Sequence, residues 1–173
     1  MFVPRLAAVL SLLAATGCGG ATQPADAPPS AAEIAHPLRG KPLPAFRRRT
    51  IAEAELDTRA MAGRAVVVKF FARYCEPCKR SLPAAERLSK ELPQVSFVGI
   101  AEDEHLADAA EMVQTSGVSF PVVHDPGHVL GGRFRVSELP ITFLVDRGGM
   151  IVSVLGPGDD EAAFRSAVER IAR

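Results

Sequence analysis

The sequence lacks a net charge, because 20 lysines and arginines are balanced by 20 aspartates and glutamates. A chain without net charge has no long-range field to hold nucleic acid or an anionic surface. The nearest approach to a basic patch is the run at Arg47, Arg48 and Arg49. No aromatic residue separates these charges, so we interpret the run as a solvated loop or edge strand and expect no nucleic-acid partner.

Long hydrophobic runs are also missing near the N-terminus, where the apolar stretch over 6–15 follows a single charge at Arg5. About ten apolar residues are too few to cross a bilayer core of about 30 Å as a helix. A basic start, a short apolar middle and small residues before a cut are typical of a secretory signal. Ala15-Thr16-Gly17-Cys18 resembles a bacterial lipobox, which predicts a lipoprotein signal peptide over 1–17 and lipidation of Cys18. An ordinary cleaved signal, with Cys18 incidental, is the alternative.

Large apolar residues are nearly absent from the segment after Cys18, which is rich in Ala, Pro, Gly, Ser and Gln. Such a segment cannot bury enough surface to offset its ordering entropy. We therefore expect a flexible tether over 18–40 and a folded domain over 41–173. A domain held in this way would lie on the periplasmic side of the cell envelope, attached to a membrane by lipid.

Cysteine is scarce, with three in the whole chain. Cys18 stands alone, whereas Cys75 and Cys78 form a C-x-x-C pair. A zinc site needs further ligands, and the sequence has no second C-x-x-C and no close histidine pair, so no metal is expected. A structural disulfide closing so short a loop adds little stability on entropic grounds. Redox exchange is the favoured interpretation, with the Cys75–Cys78 disulfide as the only redox group and no separate cofactor.

The pattern of the predicted domain is α/β. Buried-strand patterns occupy 66–71, 95–101, 120–123, 141–145 and 150–155. Helical patterns occupy 75–92, 104–116, 129–134 and a last segment capped by Asp159 or Asp160. Gly117 is expected to end the second helix, and Pro83 to kink or break the first. This order predicts a central mixed sheet with helices on both faces, preceded by an N-terminal β-hairpin within 45–59.

The position of the cysteine pair at a helix start has chemical consequences. Unpaired N–H groups and a partial positive charge favour a thiolate there, so we expect the thiol of Cys75 to ionise more readily than a free thiol. Cys78 lies one turn further on, where it can attack Cys75 and resolve a mixed disulfide. Pro77 suits an early helical position, where an N–H would have no partner.

The segment Phe70-Phe71-Ala72-Arg73-Tyr74-Cys75-Glu76-Pro77-Cys78-Lys79, with Leu82-Pro83 after it, resembles the active-site segment of thioredoxin-like proteins. The greatest likeness is to the TlpA/ResA group of membrane-tethered thiol–disulfide oxidoreductases. The stretches over 120–125 and 136–146 resemble later segments of the same group. The resemblance covers about 41–173 and implies a thioredoxin-like fold.

The resemblance also implies roles for individual residues. Cys75 would be the nucleophile and Cys78 the resolving thiol. Pro140 matches a cis-proline that lies against the disulfide, which leaves the backbone of Leu139 free to pair with a substrate strand. The surface expected to contact substrate comprises Leu139, Pro140, Tyr74 and Pro77.

An active-site carboxylate is implied at Glu104, where it could relay the proton of Cys78. Glu102 and Asp103 are adjacent, so the choice among the three stays open, and a solvated acidic turn is the alternative. Two positions depart from the family pattern. Lys69 stands where thioredoxins have a buried acid, and Tyr74 where tryptophan is usual.

The function that this predicts is an envelope exchanger that reduces disulfides of protein substrates and receives electrons from a membrane-bound donor. We expect a monomer, and c-type cytochrome maturation is one task that the resemblance suggests. A redoxin-type peroxidase is disfavoured, because Ala72 and Lys69 stand where such enzymes have Thr and Pro. A copper-binding chaperone using His124 or His128 is disfavoured by the C-x-x-C spacing, because similar copper carriers have C-x-x-x-C.

Overall fold

The computed structural model describes residue 1 and the ranges 33–158 and 160–173. Cys18, the predicted signal peptide after Met1 and most of the predicted tether lie outside the described residues. Within the described residues the strands are β1 (Arg47–Arg49), β2 (Glu55–Asp57), β3 (Ala65–Phe71), β4 (Val95–Ala101), β5 (Val122–His124), β6 (Ile141–Val145) and β7 (Ile151–Leu155). The helices there are α1 (Glu76–Glu91), α2 (Leu106–Ser116), α3 (Val129–Phe134) and α4 (Glu161–Ala172), with a 3₁₀ turn at Thr58–Met61.

The central sheet has the strand order β5-β4-β3-β6-β7. Strands β3, β4 and β5 run parallel, whereas β6 is antiparallel to both β3 and β7. Every residue of β3 is buried, as expected of a central strand covered on both faces. Helices α1 and α4 cover one face of the sheet, and α3 with the N-terminal hairpin covers the other. The predicted mixed α/β fold with flanking helices is confirmed.

Several predicted elements differ from the structure in their limits. Helix α1 is not broken at Pro83, because the buried face of the helix packs on the sheet and compensates for the hydrogen bond that proline removes. Helix α2 begins at Leu106, two residues later than predicted, because His105 is its extended N-cap. Gly117 ends α2 in the left-handed conformation, with φ 68°, as predicted.

The N-terminal hairpin is present as the antiparallel pair of β1 and β2. The arginines of β1 are exposed, and two of them pair with glutamates of the same hairpin. The folded region also extends further toward the N-terminus than the predicted start at Lys41. Ile34 donates its N–H to the carbonyl of Val154 at 2.9 Å, and Gly40 donates to Ile151 at 2.7 Å. Ile34 packs on the core, which explains why the chain is ordered there.

The described part of the chain contains no helix with the length and apolar character that crossing a membrane requires.

Candidate active site

The cysteine pair lies where β3 passes into α1. Cys75 is the N-cap of α1 and has an extended backbone, with φ −89°. Its Sγ accepts the N–H of Cys78 at 3.2 Å and is joined to the sulfur of Cys78 in a disulfide. Cys75 is 6% exposed and Cys78 is fully buried. An incoming group can therefore reach the first sulfur and not the second, and the helix N-terminus faces the sulfur that is accessible.

The turn before Cys75 is anchored by the acidic turn that follows β4. Asp103 Oδ1 accepts the backbone N–H of Arg73 at 2.9 Å, and the Arg73 guanidinium pairs with Asp108 on α2 at 2.8 Å. Burial raises the pKa of Asp103, although the Arg73 N–H acts in the opposite direction. Asp103 thus serves to position the turn and the cysteine that follows it.

A cavity of about 670 Å³ opens beside Cys75, and we call it the redox cavity. Its wall is formed by the active-site turn, the start of α1, the end of β4, α3 and the segment before Pro140. Its lining residues include Tyr74, Cys75, Glu76, Pro77, Glu102, His128, Gly131, Glu138 and Leu139. The Leu139–Pro140 peptide bond is cis, as the resemblance implied. The structure therefore brings Tyr74, Pro77 and Leu139 to one cavity with Cys75.

Glu102 is the buried acid of the redox cavity, and it meets His128 from the N-cap of α3. The carboxylate contacts His128 Nδ1 directly through Oε2. Burial raises the pKa of Glu102, with a further contribution from the nearby carboxylate of Asp125, although His128 opposes the shift. The hydrogen bond that His128 donates to Glu102 raises the pKa of His128.

Space for the Glu102 carboxylate depends on Gly131. A Cβ at Gly131 would lie 2.6 Å from Glu102 Oε2 and 2.9 Å from Oε1. Asp125 places this part of α3, because its Oδ2 accepts the N–H groups of Leu130 at 2.7 Å and of Gly131 at 3.0 Å. The helix and the acidic side chain are therefore built against each other.

Glu104, the acid suggested by the resemblance, does not line the redox cavity. It is exposed, in the bend between β4 and α2. The difference between the two acids arises where β4 ends. Glu102 still continues the sheet, because its N–H donates to the carbonyl of Phe71 at 2.8 Å, whereas Glu104 lies beyond this pairing. Side chains alternate along a strand, so Glu102 follows Val98 and Ile100 toward the face covered by α3. That alternation was the signal in the sequence that could have selected Glu102.

Lys69 lies on the other side of Pro140, at a second cavity of about 250 Å³ that is also lined by Pro77 and Phe164. It is 2% exposed, and its Nζ donates to Thr142 Oγ1 at 3.1 Å. The same ammonium lies 5.4 Å from the centroid of the Phe164 ring, within range of a cation–π interaction. The position that carries an acid in thioredoxins is therefore occupied by a buried, hydrogen-bonded cation.

The two histidines considered for copper have other contacts. His124 Nε2 lies 2.7 Å from the backbone oxygen of Asp103, and His128 contacts Glu102. Across 33–158 and 160–173, no group of three or more histidine, cysteine or acidic side chains is arranged to hold a metal ion. His128 also lines the redox cavity, although its side chain is largely exposed.

The sequence is similar to those of proteins named thiol-disulfide oxidoreductases. Residues 39–154 match the model of the AhpC/TSA family. A protein of Halalkalibacterium halodurans named thiol-disulfide oxidoreductase ResA is 30% identical over 118 residues, which cover 67% of each chain. The Bacillus subtilis protein of the same name is 31% identical over 97 residues, 55% of this chain and 54% of that one. The chain thus spans between about half and two thirds of these relatives' lengths.

Solved structures show the same fold. A thioredoxin-family thiol:disulfide interchange protein of Chlorobium tepidum has a TM-score of 0.70 and 25% identity, over 78% of this chain and 98% of that one. A secreted disulfide oxidoreductase of Mycobacterium tuberculosis, described as homologous to DsbE of E. coli, has a TM-score of 0.68 and 22% identity, over 72% and 95% of the two chains.

Proposed function

The chain belongs to the AhpC/TSA family, as a thiol–disulfide oxidoreductase of the ResA type, and from this premise we propose that it reduces selected protein disulfides in the cell envelope. The observation that carries the proposal is the asymmetry of the cysteine pair. Cys75 is accessible at a helix N-terminus beside an open cavity, whereas Cys78 is enclosed directly behind it.

The exchange follows from this arrangement. In the reduced protein, the Cys75 thiolate attacks one sulfur of a substrate disulfide, which breaks that bond and leaves a mixed disulfide and a substrate thiolate. Cys78 then loses its proton and attacks Cys75, which releases the second substrate thiolate. Two electrons pass to the substrate, both of its sulfurs gain protons, and the Cys75–Cys78 disulfide remains. The burial of Cys78 reserves it for this internal step.

The redox cavity would receive the substrate as an extended protein segment. Leu139 lines the cavity beside Cys75, and Tyr74 stands 70% exposed at its rim. An extended segment that pairs with the backbone at Leu139 would present its disulfide to Cys75. Protein disulfides are therefore the proposed substrates, and a membrane-bound dithiol protein is the proposed electron donor.

The proposed location rests on the N-terminal sequence. The pattern over 1–17 and the lipobox-like Cys18 support lipid attachment in the envelope. Replacement of Cys18 by Ser should release the protein from the membrane fraction and abolish incorporation of labelled fatty acid. Membrane retention of the Cys18→Ser variant, with no label in the wild-type protein, would contradict the proposed anchor.

Reduction of insulin by the dithiol form tests the exchange itself, with Cys75→Ser as the inactive control. The direction is tested by equilibration with glutathione and dithiothreitol buffers. A potential near about −120 mV, typical of a strongly oxidising exchanger, would contradict the role as a reductant. A Cys78→Ala variant stalls at the mixed disulfide, so mass spectrometry of trapped adducts identifies substrates and tests whether cytochrome c maturation proteins are among them.

The peroxidase alternative has no support from the site. Ala72 carries no hydroxyl group where redoxin-type peroxidases have Thr. Lys69 stands where those enzymes have Pro, and its ammonium donates a hydrogen bond to Thr142. Incubation of the reduced protein with hydrogen peroxide should give no catalytic turnover. Sustained peroxide consumption with a dithiol donor would restore this alternative.

A further inference from the structure

The contact between Glu102 and His128 joins the interior of the redox cavity to solvent. The Glu102 side chain is 5% exposed, whereas the His128 side chain is 57% exposed. Oε2 of Glu102 meets the imidazole, and Oε1 has no hydrogen-bond partner among the described residues although it is buried. A buried carboxylate oxygen without a partner is costly in a structural role and is typical of a group that exchanges protons.

We propose that Glu102 and His128 act as one proton-accepting pair, which takes up a proton when the Cys75–Cys78 disulfide is reduced and thereby allows Cys75 to remain a thiolate. The inference deepens the proposed function and rests on it for the exchange reaction. It assigns to the redox cavity a proton site that is separate from the two sulfurs.

The proton balance shows what the pair would do. Reduction of the disulfide by a dithiol donor breaks the S–S bond and brings two electrons and two protons. Cys78 takes one proton as a thiol, and the pair takes the second, so that Cys75 carries the negative charge. When the Cys75 thiolate attacks a substrate disulfide, the pair gives its proton to the departing substrate thiolate. Cys78 later gives its own proton to the second substrate sulfur.

The surroundings of the pair favour proton uptake. The titratable groups that face it come from the turns after β4 and β5, the active-site turn, α1 and the segment before Pro140. They are Asp125, Tyr74, Glu76 and Glu138, and the exposed Glu104 adds a negative charge from outside the redox cavity. The carboxylates among them supply negative charge, whereas Tyr74 stays neutral near pH 7 because burial raises its pKa. Of the nearby cations, Lys79 pairs with Glu76, and Arg133 of α3 donates to the carbonyl of Ala45 at 2.9 Å. Negative neighbours stabilise a proton on the pair, and a thiolate at Cys75 adds to that effect.

The test is the titration of the His128 imidazole, followed by NMR in the disulfide and dithiol forms of the same protein. His128→Asn identifies its signal among the four histidines, and asparagine tolerates the left-handed backbone that His128 adopts at φ 56°. We expect the midpoint to lie higher in the dithiol form by about 0.5 pH unit or more, because a thiolate has appeared in the same cavity.

Two matched carboxylate variants show whether the coupling passes through the buried acid. Glu102→Gln keeps the size of the side chain but removes its charge, and we expect the difference between the two redox forms to disappear. Glu104→Gln removes a charge from the same acidic turn at an exposed position, and we expect the difference to persist. Circular dichroism of each variant establishes that it is folded.

The outcomes separate this inference from the proposed function. An identical His128 midpoint in both redox forms, in a protein that reduces insulin, would overturn the proton pair and leave the reductase role intact. A midpoint that moves in a protein without insulin reductase activity would support the pair and contradict the proposed function. Loss of the difference in Glu104→Gln and not in Glu102→Gln would also overturn the assignment.

Discussion

Glu86 is a buried carboxylate of α1 whose contribution to stability should depend on pH. It is 6% exposed, and it accepts the N–H of Ser119 at 2.8 Å and the hydroxyl of Ser119 at 2.6 Å. Lys90, one turn along α1, lies 2.8 Å from Oε1. Burial alone would raise the pKa of Glu86, but the hydrogen bonds from Lys90 and Ser119 together lower it. The carboxylate therefore ties the helix that carries the cysteines to the segment leading into β5.

The expected cost of Glu86→Gln follows from these contacts. Glutamine retains the size and one acceptor oxygen but loses the charge that strengthens both Ser119 bonds and the pairing with Lys90. Hydrogen bonds to charged groups contribute about 1.5–3 kcal/mol each, and part of this survives as neutral bonding. We expect the free energy of unfolding at pH 7 to fall by about 2 kcal/mol. For a domain of this size, Tm should then fall by about 6 °C.

The pH dependence gives the sharper test. The pKa of Glu86 in the folded state lies below its ordinary value of 4.5. Its contribution is therefore complete above pH 4.5 and is lost as the pH falls through the folded-state pKa. Urea unfolding followed by circular dichroism, between pH 7 and pH 3.5, should show the wild-type and Glu86→Gln curves converging at the acid end.

The matched control is Glu91→Gln, which removes an exposed carboxylate from the same helix, where it pairs with Arg165. We expect little change in stability, because exposed ion pairs contribute little. If Glu86→Gln lowered the free energy of unfolding equally at pH 7 and pH 3.5, the reasoning would be refuted, since the effect would then come from altered packing and not from lost charge. A destabilisation no larger than that of Glu91→Gln would also refute it.

Further predictions concern the cysteines, the sheet and a helix cap. In the reduced protein, iodoacetamide should modify Cys75 first and should reach Cys78 only when the structure opens, and peptide mass spectrometry would measure both rates. Equal labelling of the two cysteines would contradict the roles proposed for them. Gly99→Ala should cost about 1–3 kcal/mol in urea unfolding, because a Cβ there would lie 2.9 Å from Val122 Cγ2, and a neutral effect would contradict that packing. Asp160→Ala should lower the free energy of unfolding by about 1 kcal/mol, because the side chain of Asp160 caps α4, and Asp160→Asn should keep this cap and the stability.

The parts of the fold that sequence reasoning could predict depend on short-range patterns. Strand β4 and helix α3 have the limits that their patterns indicated. Gly117 caps α2 as predicted, and Asp160, one of the two candidates, caps α4. The failures lie where distant residues decide the outcome. Local propensity predicts a kink or break at Pro83, and the break does not occur, because the packing of α1 on the sheet keeps one helix.

The candidate site divides in the same way. The two redox cysteines can be predicted from a contiguous motif, because their chemistry needs only a strand, a turn and the start of a helix. The choice among three adjacent acids is different, since it depends on where β4 stops pairing. Glu102 extends the alternation of β4 toward α3, whereas Glu104 falls in the bend and stays in solvent.

His128 illustrates why proton-handling groups are harder to find than nucleophiles. The sequence around it, Asp125-Pro126-Gly127, indicates a turn and gives no sign of what the turn faces. The structure supplies the missing information, because Asp125 holds the start of α3 and Gly131 leaves room for the Glu102 carboxylate. Three separate parts of the chain must meet before an acid and a base touch, and none of them carries a motif. Replacing Gly131 by Ala should therefore disturb the contact between Glu102 and His128 while leaving the C-x-x-C segment intact.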